Sequence, residues 1–278
     1  KADWMLDISG GEVTVDSTDH AIHCTSDINI TGGTLNLSSE SKKGISGHGD
    51  VTIDDGDITI TKSTEGIESK KILTINGGNI DITASDDGLN SGGTGANQNG
   101  GFGGGTNMQG GQQGGRGKIG RQNSDGQDGN QMTPPEMPSD KNGGQMTPPN
   151  MQQAEGNEQD SEHHIQINGG NIKIVADADG IDSNGSLFIN GGTVTVDAQP
   201  TGAESAFDTD GAFIVNGGTI IGVSGSGMDE SPNSYSAQNV ILAYTTSQIS
   251  AGDEVKITDS NGKTIAEYTA VKGGSKIV

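Results

Sequence analysis

The feature that most constrains this chain is an internal repeat of about 22 residues. Each copy contains two apolar-polar-apolar runs joined by a glycine-containing turn, as in "LTINGGNIDI" (73–82), "IQINGGNIKI" (165–174) and "LFINGGTVTV" (187–196). Alternation with a period of two predicts half-buried β-strands. Asn-Gly-Gly suits a tight corner because glycine adopts positive φ at little cost. Each copy therefore contains two short strands and one corner.

A third element of each copy is an acidic turn, such as "SDDGLNS" (85–91). Its glycine recurs at a spacing of 22 residues, at Gly44, Gly66 and Gly88 and again at Gly180 and Gly202. Hairpins do not require a constant period, and the L-x-x-L-x-L pattern of leucine-rich repeats is absent. Coils stacked about 4.8 Å apart do require one. We predict an all-β fold, a parallel β-helix of about seven coils, for which the crossover rule favours the right hand.

Two segments interrupt the repeat. Residues 93–164 are rich in Gly, Gln, Met and Pro, a composition that cannot bury enough apolar surface to offset the entropy of ordering. The repeat is in register again once this segment is removed, so we predict a corner insertion in a β-helix formed by residues 1–233. Residues 234–278 lose the period, and we predict that they form strands that cap the open C-terminal end.

Composition limits the partners. The 278 residues include 37 acidic and 15 basic side chains, a formal charge of −22, which argues against a nucleic-acid partner or an anionic membrane surface. No apolar run reaches the roughly 18 residues of a membrane span. Cys24 is the only cysteine, so a disulfide framework and a cysteine-based zinc site are excluded, and we expect it to be buried. We expect a monomer that binds cations.

The acidic turns predict where such cations bind. Residues one period apart become neighbours about 5 Å apart in stacked coils, and like charges at that distance cost on the order of 1 kcal/mol per pair in water. Calcium accepts six to eight oxygen ligands in flexible geometry, whereas magnesium and zinc have stricter requirements. The alternative is that these turns are merely solvated. The candidate calcium ligands are Glu65, Glu68, Asp86, Asp87, Asn90, Asp177, Asp179, Asp182, Glu204 and Asp229.

The pattern I-N-G-G-x-h-x-h, followed by D-G-h-[DN]-S and a Gly/Met/Pro-rich insertion, resembles a bacterial family of secreted carbohydrate-binding proteins with a polysaccharide-lyase-like, right-handed parallel β-helix. The resemblance covers nearly the whole chain. It implies calcium, an extracellular or cell-surface location, and affinity for plant cell-wall polysaccharides such as cellulose and acidic pectin-type sugars. "DDGLN" (86–90) is also similar to the calcium-binding turn of one pectate lyase family, with the amide of Asn90 replacing a carboxylate.

Three functions remain open at this point. Aromatic residues are only 3% of the chain, so stacking against neutral sugars is poorly supplied, whereas calcium could bridge protein and uronate carboxylates. A non-catalytic binding protein is therefore favoured. A β-eliminating lyase is the first alternative, and it would need a base near the calcium, for which Lys62 and Lys173 are the candidates. The second alternative is a structural surface adhesin whose calcium only staples the coils.

Overall fold

The structure is a computed structural model that describes residues 1–92, 162–227 and 230–278. All regular secondary structure in these residues is β, and the predicted parallel β-helix is confirmed. Six coils are complete, and a seventh contributes two strands before the chain leaves the repeat, so the predicted number of about seven was close.

The complete coils each place two strands, or one long bent strand, on the larger sheet and one short strand on the smaller sheet. The strands of the first three coils are β1 (Leu6–Ser17), β2 (Ile22–Cys24), β3 (Ile28–Ser39), β4 (Ile45–Gly47), β5 (Val51–Lys62) and β6 (Ile67–Ser69). Those of the next three are β7 (Ile72–Ile75), β8 (Asn79–Ala84), β9 (Leu89–Ser91), β10 (His164–Ile167), β11 (Asn171–Ala176), β12 (Ile181–Ser183), β13 (Ser186–Ile189), β14 (Thr193–Asp197) and β15 (Phe207–Thr209).

The remaining strands form the partial coil and the C-terminal region. They are β16 (Phe213–Val215), β17 (Thr219–Ser224), β18 (Ala243–Ser250), β19 (Glu254–Thr258), β20 (Thr264–Thr269) and β21 (Gly273–Ile277). β21 pairs antiparallel with β17, and β18 pairs with β21, so antiparallel strands follow the last parallel strand of the larger sheet. No helix in the described ranges could span a membrane.

Stacking in register builds one continuous core. Ile80 pairs with Ile58 in the coil before it and with Ile172 in the coil after it, and all three are at most 2% exposed. The same alternation, with apolar side chains inward and polar side chains outward, repeats along β3, β5, β8 and β11 of the larger sheet. Cys24 lies in this core and is fully buried, as predicted. Burial of this apolar column is the main stabilising term of the fold.

The Asn-Gly-Gly corners stack as well. The second glycine of each corner has φ between 85° and 91° at Gly78, Gly170, Gly192 and Gly218, which explains why glycine is needed there. The asparagine amides form a hydrogen-bonded stack with N···O distances of 2.7–2.8 Å. Each Nδ2 donates to the Oδ1 of the equivalent residue in the coil before, in the order Asn216, Asn190, Asn168, Asn76 and finally Asp54.

The predicted insertion, residues 93–164, lies outside the described residues except for its last three positions. Its flanks are described, and they stack directly. β9 pairs in parallel with β12, and the Gly88 N–H donates to the Asp179 carbonyl at 3.1 Å. The prediction that Gly88 and Gly180 are in register across the insertion is therefore confirmed.

Candidate functional site

Two columns of polar side chains run along the smaller sheet. The pair of residues that one coil contributes to these columns is called a rung here, and the six rungs together are called the ladder. From the first coil to the sixth, the rungs are His20/His23, Lys43/Ser46, Glu65/Glu68, Asp87/Asn90, Asp179/Asp182 and Ser205/Asp208. The predicted vertical register of acidic side chains is thus present in the structure.

A glycine inside each acidic turn allows this close stacking. A Cβ added at Gly88 would lie 2.5 Å from the Gly180 carbonyl oxygen and 2.2 Å from Ile174 Cγ2. The same position in the preceding coil, Gly66, is equally crowded, with the Gly88 carbonyl oxygen 2.4 Å away. A larger residue at Gly66 or Gly88 would separate the coils, so these two glycines keep the carboxylates of adjacent rungs within one coil spacing.

The register moves one predicted ligand to another position. A step of 22 residues from Asp182 leads to Glu204, but Asp182 pairs with Asp208. The turn of the sixth coil is longer than that of the fifth, so Ala206 and not Gly202 follows Gly180 in the stack. Glu204 lies instead near Asp179, and its charge helps to raise the pKa of that residue. The other predicted ligand beyond the sixth coil, Asp229, lies outside the described residues.

The third rung is neutralised by lysines. Lys43 Nζ lies 3.2 Å from Glu65 Oε1 and also contacts Glu68 Oε1, which Lys70 Nζ contacts as well. Ser46 Oγ donates to Glu68 Oε2 at 2.9 Å. Burial alone would raise the pKa of Glu68, but the two ammonium groups outweigh it and hold this pKa below its usual value. The carboxylate of Glu68, a predicted calcium ligand, is thus already paired with two lysine ammonium groups.

The fourth and fifth rungs have a different environment. The Asn90 amide nitrogen donates to Asp87 Oδ2 at 3.2 Å and to Asp182 Oδ2 at 3.0 Å, so one amide group connects two carboxylates of adjacent coils. Asp87 Oδ1 accepts a hydrogen bond from the Asp179 backbone N–H at 3.2 Å, and Asp179 Oδ1 accepts one from the Ser205 N–H at 2.5 Å. The carboxylates of Asp87 and Asp182 therefore share the amide of Asn90, and the carboxylate of Asp87 also binds the backbone of Asp179.

These carboxylates resist ionisation. Burial raises the pKa of Asp87 to about 7, with a further contribution from the charge of Asp86. Burial also raises the pKa of Asp182 to about 8, and the charges of Asp87 and Asp208 add to the shift. The pKa of Asp179 is raised mainly by burial as well. Buried carboxylates with raised pKa values mark a place where a bound cation would lower the electrostatic free energy.

Sequence reasoning missed a further part of the acidic cluster. Asp208 in the sixth rung lies beside Glu230, whose pKa is raised by burial and by the charge of Asp208. Glu230 also accepts a hydrogen bond from Thr209 Oγ1 at 3.1 Å and lines a shallow cavity with Phe213 and Asn233. The irregular length of the sixth coil hid this position, since a fixed step of 22 residues from Asp182 does not reach Asp208.

The oxygen donors fit calcium in kind. Asn90 Oδ1 and Glu65 Oε2 are buried acceptors without a hydrogen-bond partner, and buried polar atoms of this kind call for a ligand or ion. No three His, Cys, Asp or Glu side chains among the described residues already converge on one point. Because the Asn90 amide nitrogen faces Asp87 and Asp182, a cation between them requires this amide to rotate and present Oδ1 instead.

The remaining predicted ligands lie at the rim. Asp86 is exposed and contributes charge beside Asp87. Asp177 is exposed, and its Oδ1 lies 2.5 Å from Lys272 Nζ, which also donates to the Ala176 carbonyl. The structure does not bring these two carboxylates into the buried part of the ladder.

The two lysines named for a lyase lie on the larger sheet. Lys62 Nζ is 2.7 Å from Glu40 Oε2, and Lys173 Nζ is 3.8 Å from Asp81 Oδ2, with all four side chains about half exposed. Neither ammonium group pairs with a carboxylate of the ladder.

Comparison with known proteins gives one partial similarity. A family model described as "Carbohydrate-binding domain-containing protein" matches residues 32–127, about a third of the chain. Searches of curated proteins and of solved structures found no match. The matched segment begins within β3 and contains most of the second coil and all of the third and fourth, including the rungs from Lys43/Ser46 to Asp87/Asn90. The similarity supports a carbohydrate-binding function.

Proposed function

We propose that this protein is a non-catalytic, calcium-dependent polysaccharide-binding protein that acts outside the cell or at its surface. Its target would be an acidic plant cell-wall polysaccharide of the polygalacturonate type, with cellulosic polysaccharide as a second target to be tested. The carrying observation is the group formed by Asp87, Asn90 and Asp182, in which two partly buried carboxylates with raised pKa values flank one amide. The similarity to a carbohydrate-binding family supports the class of ligand.

The chemistry of the exposed surface favours a charged sugar over a neutral one. Neutral polysaccharides are bound mainly by aromatic platforms. Among the described residues, the most exposed aromatic side chains are Trp4 just before the first coil and Tyr235 and Tyr244 after the last one. A calcium ion has more coordination positions than the ladder can fill with its own side chains. The open positions would accept carboxylate and hydroxyl oxygens of a uronate, so one ion would neutralise protein and polysaccharide together.

The test is binding of the protein to immobilised polygalacturonate in calcium, in magnesium and in EDTA. We expect retention in calcium only, and loss of retention for Asp87→Asn/Asp182→Asn, which keeps the size of both side chains. Lys62→Ala/Lys173→Ala is the matched control and should bind like the wild type. Equal retention in calcium and in EDTA would refute the calcium bridge. Cellulose in the same assay separates the two polysaccharide classes.

A lyase assay on the same samples separates binding from catalysis. β-Elimination of a uronate creates an unsaturated product that absorbs ultraviolet light, and we expect no such absorbance. Product formation that disappears in Lys62→Ala/Lys173→Ala would instead establish the lyase. Failure of both the binding and the elimination assays would leave the structural adhesin as the remaining function.

A further inference from the structure

The ladder changes its counterion between the third and the fourth rung. On the N-terminal side of this point, in the third rung, the acidic side chains are neutralised by lysines of the chain itself. Lys43 belongs to the second rung, yet its ammonium group reaches the next coil, where it contacts both Glu65 and Glu68. An ammonium ion at the end of a four-carbon stem is a compact cation with three donors, suited to a position between two carboxylates.

The burial of Glu68 makes this contact necessary. Its side chain is only 2% exposed, and a buried carboxylate without a partner would be strongly unfavourable. The formal positive charges of Lys43 and Lys70 balance the two negative charges of Glu65 and Glu68. The lysine contacts therefore allow two acids to stack directly below the fourth rung without an external cation.

The rungs above lack this balance. Asp87, Asp179, Asp182 and Asp208 carry four formal negative charges when ionised. Among the described residues, the buried Lys276 approaches these rungs, and its Nζ lies 3.1 Å from Ser205 Oγ in the sixth rung. The strongest charge effects on Asp87 and Asp182 come from other carboxylates, in contrast to Glu68. The same stacking geometry is thus neutral in the third rung and acidic in the fourth and fifth.

We propose that Lys43 is a tethered counterion that determines where divalent cations bind along the ladder. Its ammonium group occupies, between Glu65 and Glu68, the kind of position that a calcium ion takes between Asp87, Asn90 and Asp182. Cation binding consequently begins at the fourth rung. This inference rests on the proposed function, because it presupposes that the upper rungs bind calcium.

Removal of the lysine charge should therefore convert the third rung into a cation site. In Lys43→Gln, Glu65 Oε1 loses its ionic partner, and Oε2 of this residue is already without a hydrogen bond. Glu68 keeps Lys70 and Ser46. The double variant Lys43→Gln/Glu65→Gln is the matched control, because it removes the same lysine but also the carboxylate that a new ion would need.

The experiment measures the number of bound calcium ions by equilibrium dialysis, and the melting temperature in EDTA and in calcium. We expect Lys43→Gln to melt about 5 °C or more below the wild type in EDTA. In calcium it should recover this loss and bind one ion more than the wild type, whereas the double variant should bind no extra ion. If Lys43→Gln is unfolded in EDTA, folding on addition of calcium, followed by circular dichroism, is the expected result.

The outcomes separate the two proposals. A wild type that binds calcium, together with a Lys43→Gln variant that gains no ion and no calcium-dependent recovery, overturns the role of Lys43 alone. An extra ion that persists in the double variant overturns it too, since the site would then not involve Glu65. A wild type that binds no calcium overturns the calcium-dependent function and, with it, this inference.

Discussion

The electrostatic cost of the ladder predicts that Asp182→Asn stabilises the protein when calcium is absent. The folded-state pKa of Asp182 is raised to about 8 by burial and by neighbouring carboxylates, while its unfolded-state pKa is close to 3.8. A group of this kind contributes stability below its unfolded pKa, and that contribution is lost as the pH rises through the folded pKa. Asparagine cannot ionise, so the stability of the variant does not fall with pH through this position.

The magnitude follows from the two pKa values. A difference of roughly four units at about 1.36 kcal/mol per unit gives an upper limit of about 5 kcal/mol at pH 8. Relaxation and solvent penetration reduce this limit, and we expect a net gain of about 1–3 kcal/mol, or about 3–8 °C in melting temperature. At pH 4.5 the same calculation leaves about 1 kcal/mol at most, because this pH lies less than one unit above the unfolded-state pKa of 3.8 and Asp182 is still protonated in the folded state. The asparagine oxygen can still accept the hydrogen bond from Asn90.

The assay is thermal unfolding in EDTA at pH 4.5 and at pH 8. Asp182→Asn should melt above the wild type at pH 8 and close to it at pH 4.5, and the order at pH 8 should reverse when calcium is added. Asp16→Asn is the control, since Asp16 is exposed on β1 and should change stability by less than about 0.5 kcal/mol. A variant that melts below the wild type in EDTA at pH 8, or whose effect is the same at both pH values, would refute the electrostatic reasoning.

Two further substitutions test the stacking and the C-terminal strands. Gly88→Ala forces a methyl group to within 2.2 Å of Ile174 and should cost about 1–3 kcal/mol in urea unfolding. Ser9→Ala, at an exposed position of β1, should be nearly neutral, and equal effects would contradict the tight coil contact. Asp197 is fully buried and accepts hydrogen bonds from Tyr268 Oη and from backbone N–H groups of the segment before β21. Asp197→Ala should therefore cost about 3 kcal/mol or more and speed hydrogen exchange in β21; protection at the wild-type level would contradict its role as an anchor of that strand.

The fold could be predicted because one repeat specifies it many times. Alternation places Ile58, Ile80 and Ile172 inward in successive coils, and each Asn-Gly-Gly corner places glycine where φ must be positive. The register across residues 93–164 was also predictable, because the glycines on both sides keep the period. In such a sequence, a copy whose pattern is ambiguous can be assigned from the other copies.

The site was less predictable because it depends on single side chains. Sequence spacing placed Asp87, Asn90 and Asp182 side by side, but it could not show that Glu68 would be occupied by Lys43 and Lys70, since these contacts depend on side-chain reach between coils. The sixth coil departs from the period, so the sequence indicated Glu204 where Asp208 lies. A strict period is informative only as long as every turn keeps its length.

The ladder's affinity for a divalent cation is tested most directly by diffraction from crystals grown in calcium, with the anomalous signal used to locate ions. We predict a peak between Asp87, Asn90 and Asp182, about 2.3–2.6 Å from at least one carboxylate oxygen of each coil, with the Asn90 amide rotated to present Oδ1. An anomalous map without a peak there at saturating calcium, with the amide nitrogen still donating to both carboxylates, would contradict calcium binding by the ladder.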